Sequence, residues 1–165
     1  MELTVLANVA SAVAVVVAVV FGFLQLSHLS KTRAIFSSTE LVSSIQTAEF
    51  TRSVRLVMNL PEGAAPDLIS RDPAMVDAAL TLGHVFESLG VLVYHRVLSL
   101  HIVDDLVGGY LRGTWTRLHP YIESRRRDLG VHYGEWMQWL VERLDEHPSP
   151  GKAEGAHRSH RAWKP

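Results

Sequence analysis

The amino-acid sequence predicts an all-α protein, with one transmembrane helix followed by a small bundle of about five helices. Three observations lead to this prediction. Residues from Leu3 to Ser30 include no Asp, Glu, Lys or Arg. Between Arg33 and His147, apolar residues recur at the three- and four-residue spacing of an amphipathic helix. No stretch of the chain alternates apolar and polar residues as a half-buried strand would.

Residues 1–30 are predicted to form an uncleaved transmembrane anchor. As a helix, Leu3 to Leu26 would be about 36 Å long at about 1.5 Å per residue, enough to span a hydrocarbon core of about 30 Å with some tilt. A cleaved signal peptide would have a basic start and small residues after a short apolar core. This chain starts with Met1 and Glu2 and continues its long apolar run through Phe23 and Leu24. A core helix of a small soluble domain would carry a polar stripe.

The charges beside this segment predict its orientation. Lys31 and Arg33 follow the span, and no Lys or Arg precedes it. The positive-inside rule then places the N-terminus outside and the C-terminal domain in the cytoplasm. Thirteen Arg against three Lys, with abundant Ala, Val and Gly, suggest a GC-rich bacterial genome. The predicted location is therefore the cytoplasmic (inner) membrane, with membrane lipid as one partner.

Small residues recur every four positions within the span. Such a stripe lies on one side of a helix and lets two membrane helices approach closely. It is a candidate pairing surface for a homodimer or a protein partner. The alternative is that alanine is simply common in a span rich in Val and Ala. The stripe consists of Ala10, Ala14, Ala18 and Gly22.

The predicted cytosolic domain, residues 31–147, starts with helical segments that end at Pro61. Ser37 and Glu40 have the spacing of a capping box, and a second helix is predicted to start near Thr47. A loop rich in Pro and Gly follows. Asp72 and Pro73 then suit the cap and first position of a central core helix that continues to about Leu98.

Three features organise the remainder of this domain. Asp104 and Asp105 suit the first turn of a helix, where carboxylates interact favourably with the helix dipole. Pro120 is predicted to start or kink the next helix, which continues to Gly130. A last amphipathic helix is predicted from Trp136 to about His147.

Charge and composition exclude several classes of function. Residues 34–147 carry ten Arg against fifteen Asp and Glu, a net charge of −5, which argues against a nucleic-acid partner because such binding depends on neutralising phosphates. The absence of cysteine excludes disulfides and thiolate chemistry. Residues 148–165 are rich in Pro, Gly and basic residues and are predicted to be a disordered basic tail.

The order of several residues resembles a known family. That family is an uncharacterised one of small bacterial proteins, a domain of unknown function with one N-terminal membrane helix and a helical cytosolic domain. The resemblance covers most of residues 30–147. It implies a fold and a topology, and it implies no reaction and no catalytic residues. The residues that carry it are Phe86-Glu87 with Leu89, then Asp105-Leu106-Val107, then Trp115, Leu118, Pro120, Ile122 and Arg126, and finally Gly130, Trp136 and Trp139-Leu140.

Glu87 is the most informative single residue, because it lies among apolar residues of the predicted core helix. A buried carboxylate must be paired or protonated. The structural interpretation is a salt bridge to one of Arg125, Arg126 or Arg127. The functional interpretation is a polar contact in a ligand pocket. His84, Glu87 and Arg126 are therefore the candidate buried polar or pocket residues.

No catalytic, cofactor-binding or metal-binding residue is predicted. The chain has nine histidines, but its Glu-x-x-His spacing occurs only at Glu154 and His157 in the tail. No serine lies in a Gly-x-Ser-x-Gly turn. Basic residues outside the core are candidate lipid contacts, with a solvated surface as the alternative. These are Arg125, Arg127, Arg158, Arg161 and Lys164.

These features predict a membrane-tethered helical interaction or regulatory module. The alternative is a lipid or small-molecule sensor with a pocket in the helical domain, and an enzyme is a third hypothesis. A pocket lined by His84, Glu87 and aromatic residues would favour the sensor. An exposed apolar patch over a tight core would favour the interaction module.

Overall fold

A computed structural model of the chain describes residues 43, 45, 47–149 and 154–164. The chain divides into two compact units, Met1–Ser37 and Ser38–Pro165. The first unit lies outside the described residues. The predicted transmembrane span, its orientation and the small-residue stripe fall in this unit and stay predictions. The capping box of Ser37 and Glu40 also falls on residues outside those described and stays a prediction.

The described residues fold into helices connected by short loops and include no strand. The prediction of an all-α fold is therefore confirmed. The helices are α1 (Ala48–Met58), α2 (Pro66–Ser70), α3 (Pro73–Tyr94), α4 (Leu100–Leu129), α5 (Glu135–Glu146) and the single turn α6 (Ala156–Ser159).

Local capping explains where α1 and α3 begin. The Thr47 hydroxyl accepts a hydrogen bond from the Phe50 backbone N–H at 3.0 Å, and α1 starts at the next residue. Asp72 accepts from the Ala74 backbone N–H at 2.9 Å, with Pro73 at the first helical position. Both caps satisfy backbone donors that a helix start leaves without an internal partner. The predicted starts near Thr47 and at Asp72 are confirmed.

The end of α3 differs from the prediction. The helix stops at Tyr94 rather than near Leu98, because Arg96 adopts the left-handed conformation with φ 57°. The Val97 backbone N–H then donates back to the Leu92 carbonyl at 2.9 Å. This is the geometry of a Schellman-type helix end, which usually has glycine at the left-handed position.

We expect Arg96→Gly to stabilise the domain. A side chain in the left-handed conformation costs about 1 kcal/mol, and glycine removes that cost at the price of a more flexible unfolded chain. The expected net gain is about 0.5–1 kcal/mol in the free energy of unfolding. Chemical unfolding of the full chain in mild detergent measures it. Arg96→Ala is the control, because it removes the same charge and keeps the strained backbone, and an equal gain in both variants would contradict the explanation.

One helix, α4, replaces the two that the sequence predicts between Ser99 and Gly130. It begins at Leu100, so Asp104 lies beyond its first turn, where the sequence placed it, and is buried. Pro120 does not start a new helix, although it has no N–H to donate to the Thr116 carbonyl one turn earlier. The Gly63 backbone N–H, in the loop after α1, donates to that carbonyl at 2.9 Å instead. The predicted end at Gly130 is confirmed, where φ is 97°.

The core of the domain surrounds α3. Its Leu82, Phe86 and Leu89 are buried, and the Phe86 ring meets the edge of Phe50 from α1 with ring centroids 6.1 Å apart. By length and composition alone, α3 is also the helix among the described residues that would suffice to cross a membrane. Core helices of soluble domains meet the same criterion, and this helix packs against α1, α4 and α5. The structure thus gives α3 the role of core helix that its apolar surface predicts.

A charged network joins α4 to the end of α5. The Arg112 guanidinium donates to Asp104 at 2.7 Å, to Asp145 at 2.6 Å and to the Leu144 carbonyl at 2.8 Å. Asp104 is 2% exposed and also accepts from the Ser149 backbone N–H at 3.0 Å. The buried carboxylate is thus matched by a cation and by a backbone donor, as buried charges require.

The tail region is described for residues 154–164. The predicted basic tail includes the short helix α6 here, and Arg158, Arg161 and Lys164 are exposed. Trp163 is the most exposed large apolar side chain among the described residues, at 73%.

Candidate functional site

Glu87 caps a helix that is distant from it in sequence. α5 follows Gly134, which has no side chain with which to cap it. The Glu87 carboxylate of α3 takes that role, because its Oε1 accepts from the Met137 backbone N–H at 2.6 Å. The Trp136 backbone N–H also donates to Glu87. A carboxylate at a helix N-terminus satisfies free N–H groups and interacts favourably with the helix dipole.

Gly90 makes this contact possible. It lies three residues after Glu87, on the same side of α3. A Cβ atom built on Gly90 would lie 2.5 Å from the Trp136 carbonyl oxygen and 2.9 Å from its carbon. Only glycine therefore allows α3 to approach the first turn of α5 this closely. Sequence reasoning did not identify Gly90, although a glycine inside an apolar helix is a known signal of close packing.

The salt bridge predicted for Glu87 is not formed. Within the described part of the chain, no ion pair joins Glu87 to Arg125, Arg126 or Arg127. Arg126 instead donates to Glu123 at 2.6 Å, to Gln138 at 2.8 Å and to the Tyr133 carbonyl at 2.8 Å. Arg126 therefore links α4 to the start of α5, while the partners of Glu87 are backbone groups.

The pKa of Glu87 is raised above its ordinary value of 4.5. Burial is the main cause, because it disfavours the charged form. The hydrogen bonds from Met137 and Trp136 oppose this rise, the charge of Glu135 adds to it, and the charge of Arg126 opposes it. The carboxylate is thus held in a partly desolvated site.

We expect Glu87→Gln to have little effect on stability near pH 4 and Glu87→Ala to destabilise the domain. Glutamine keeps an oxygen that accepts from α5, whereas alanine leaves its first N–H groups without an acceptor, at a cost of about 1–2 kcal/mol. Because folding raises the pKa of Glu87, its contribution is fully present below pH 4.5 and is lost as the pH rises through the folded-state pKa. The wild type should therefore lose stability relative to Glu87→Gln as the pH rises from 4.5 through the folded-state pKa of Glu87.

Unfolding curves of the three proteins between pH 4 and 8 test this expectation. A loss of stability in Glu87→Gln as large as that in Glu87→Ala would show that the negative charge, rather than the acceptor oxygen, is what α5 requires.

A cavity of about 190 Å³ lies beside this helix end. Leu118, Ile122 and Met137 are buried and form its apolar wall, and His84, Glu87 and Tyr133 lie on its polar side. Burial raises the pKa of Tyr133 above its ordinary value. The structure brings together His84 and Glu87, two of the three candidate pocket residues, and Arg126 is not part of the lining.

Three aromatic side chains form a partly exposed cluster where the end of α3 meets α5. Tyr94, Trp136 and Trp139 make up this aromatic surface, with ring centroids 5.0–5.9 Å apart. Tyr94 is 55% exposed although it contacts both tryptophans. Sequence reasoning missed Tyr94, because its helical spacing alone does not show that α3 ends there.

The comparisons with known proteins give a family. Residues 10–144 match the family described as Domain of unknown function (DUF4760). The chain belongs to the DUF4760 family. The match confirms the uncharacterised domain family that the sequence resembles. No curated protein and no solved structure matches the chain.

The DUF4760 match covers every helix of the candidate site except the last two residues of α5. It includes Glu87, Gly90, the cavity and the aromatic surface, and it starts inside the predicted transmembrane span. The basic tail lies outside it. The cavity and the aromatic surface are thus parts of the family domain, whereas Trp163 and the tail arginines are additions to it.

Two of the candidate lipid contacts lie within the DUF4760 domain. Arg125 pairs with Asp128 at 3.5 Å, and Arg127 is exposed. Lipid contact by these two residues, and by the three in the tail, stays a prediction. Among the described residues, no group of three or more His, Asp or Glu side chains is arranged to hold a metal ion.

Proposed function

We propose that this DUF4760 protein is a membrane-tethered interaction module whose aromatic surface binds a basic amphipathic segment of a partner protein. The observation that carries the proposal is the exposure of Tyr94, 55%, against two tryptophans on the surface of an acidic domain. The predicted anchor keeps the domain at the cytoplasmic membrane and so limits its partners to proteins at or near that membrane.

The composition of the aromatic surface suits a protein contact. Tyr and Trp are enriched at interfaces and contribute much of the binding free energy where they occur. Tyr94 and both tryptophans already contact one another, so little side-chain freedom would be lost on binding.

The charges around this surface favour a basic partner. Glu135, Glu142 and Glu146 lie four, three and seven residues from Trp139 on α5, which places them on its side of the helix. The Glu142 and Glu146 side chains are 50% and 52% exposed, and Arg143 lies 4.0 Å from Glu142 and pairs with Glu146 at 2.6 Å, so a basic partner would share these carboxylates with Arg143. Lysine or arginine side chains of a partner would meet both these carboxylates and the faces of the aromatic rings, where cations bind favourably. The net charge of −5 over residues 34–147 would attract such a segment from a distance.

Photo-crosslinking in native membranes tests the proposal. Benzoylphenylalanine at position 94 should crosslink to one protein through a segment with basic and apolar residues on opposite helix faces. The same group at Tyr110, which is 49% exposed on α4, is the matched control and should not capture that protein.

Charge reversal adds a second measurement. Glu142→Lys with Glu146→Lys should reduce crosslinking at position 94 at least several-fold, whereas Asp67→Lys with Asp128→Lys should leave it unchanged. The proposal is wrong if position 94 crosslinks to a second copy of the chain or to lipid, or if the captured segment is acidic.

A second candidate function is a small-molecule or lipid sensor, as the sequence also suggested. The observation that favours it is the cavity in which His84, Glu87 and Tyr133 face an apolar wall. Its test is saturable binding of a small ligand that is lost when the cavity is filled.

A further inference from the structure

We infer that the cavity between α3, α4 and the start of α5 binds a small ligand. The apolar part of the ligand is one ring or a short chain. Its polar part is an amine or a hydroxyl that donates a hydrogen bond to Glu87. This inference rests on the sensor proposal and deepens it by naming the class of ligand. It does not depend on the aromatic surface.

The size of the cavity limits the ligand to about one ring. Its volume is about 190 Å³. An apolar protein cavity of roughly 150 Å³ holds benzene, and pockets for drug-sized molecules occupy about 300–1,000 Å³. A membrane lipid with two acyl chains is therefore too large for it. A substituted benzene or a short aliphatic chain is of the right size.

The apolar wall is well formed before any ligand binds. Leu118 and Met137 are each 1% exposed, and Ile122 is 5% exposed. Side chains packed this closely keep their positions, so the wall does not need to rearrange. On the opposite side, a Cβ atom on Gly83 would have no neighbour within 4 Å, so α3 leaves this part of the cavity open. Gly83 therefore widens the cavity and provides no side-chain contact.

Glu87 determines the polar group of the ligand. A carboxylate has about four acceptor positions, and the N–H groups of Met137 and Trp136 take two of them. A ligand donor can use the remaining capacity and would relieve the desolvation of this partly buried group. A ligand carboxylate or phosphate would instead meet the charges of Glu87 and Glu135 and be repelled.

The ligand would also contact the polar rim of the cavity. His84 and His132 are exposed side chains that line it and lie at its entrance. His132 is bound to Glu135 at 2.7 Å, which holds the loop before α5 in place. The backbone N–H groups of Trp136 and Met137 donate to the same carboxylate. A ligand that donates to Glu87 should therefore shift the NMR resonances of these two N–H groups.

Four probes of similar size test the inference on the full chain in lipid nanodiscs. Benzylamine and benzyl alcohol should bind saturably and shift the NMR resonances of the Trp136 and Met137 backbone N–H groups. Toluene should bind roughly tenfold more weakly or worse, since it lacks a hydrogen bond to a charged group. Benzoate should not bind. Glu87→Gln should weaken benzylamine more than benzyl alcohol, because the amide keeps an acceptor oxygen but not the charge.

A matched pair of variants distinguishes binding of the probes in the cavity from their partition into the surrounding lipid. Gly83→Leu should fill the cavity and weaken benzylamine and benzyl alcohol at least tenfold, whereas Gly109→Leu, also at a helical glycine with open space, should leave both unchanged. Tighter binding of benzoate than of benzylamine, abolished by Gly83→Leu, would overturn the ligand class and leave the sensor proposal standing. Binding of no probe, or equal binding to Gly83→Leu and the wild type, would overturn both.

Discussion

Arg112→Leu is expected to lower the free energy of unfolding by about 3 kcal/mol. The substitution leaves the Asp104 carboxylate buried without its cation, while the Leu144 carbonyl at the end of α5 loses its side-chain donor. Removing one partner of a buried ion pair costs about 3–5 kcal/mol. The lower end applies here because the Arg112 side chain is 27% exposed, so water replaces part of its contribution.

Two comparison variants test whether the loss comes from the unpaired Asp104 carboxylate or would follow from any substitution in this network. Asp145 also pairs with Arg112, but its side chain is 59% exposed, so Asp145→Ala should cost less than about 1 kcal/mol. Arg112→Leu combined with Asp104→Leu removes both charges and should recover much of the stability, because apolar residues often replace a buried ion pair without loss. Chemical unfolding of the full chain in mild detergent, followed by circular dichroism, gives the values. Equal losses in Arg112→Leu and Asp145→Ala would contradict the role given to Asp104.

Gly90→Ala is expected to destabilise the domain by about 2 kcal/mol, although alanine is the better helix former by about 0.5–1 kcal/mol. The added Cβ atom would lie 2.5 Å from the Trp136 carbonyl oxygen, which belongs to the backbone and has no rotamer to change. α3 and the first turn of α5 would have to separate, and the hydrogen bond from Met137 to Glu87 would lengthen.

Glycines elsewhere in the same helices provide the controls. Gly83 on α3 and Gly109 on α4 would place a Cβ atom in open space. Gly83→Ala and Gly109→Ala should therefore raise the free energy of unfolding by about 0.5–1 kcal/mol through helix propensity. A gain in stability from Gly90→Ala similar to theirs would mean that α3 and α5 do not approach as closely as the structure indicates.

The starts of the helices were predictable because their signals lie in neighbouring residues. Thr47 and Asp72 accept hydrogen bonds from N–H groups three and two residues further on, so their capping role appears in the sequence itself. The start of α4, and its continuation through Pro120 as one helix, were not predictable in this way. Asp104 suits a first turn by local preference, yet its buried contact with Arg112 and Ser149 places it inside the helix.

The candidate site, too, could be predicted only in part from the sequence. The position of Glu87 among apolar residues marked it as important, but its partner could not be chosen from the sequence. Three consecutive arginines are attractive partners for a buried carboxylate. The structure instead uses Arg126 to join α4 to Gln138 and Tyr133, and the backbone of α5 lies against Glu87.

The sequence by itself determined that the described domain is helical, where α1, α3 and α5 begin, and which family it belongs to. Helical periodicity and capping depend on residues within one or two turns of each other, so a single sequence contains them. Only the tertiary structure decided that the Gly63 N–H donates to the Thr116 carbonyl, to which Pro120 cannot donate. It also decided that Glu87 caps α5, fifty residues further along the chain. These groups are far apart in the chain, and backbone N–H and C=O groups are the same in every residue. Their partners are therefore set by how the helices pack.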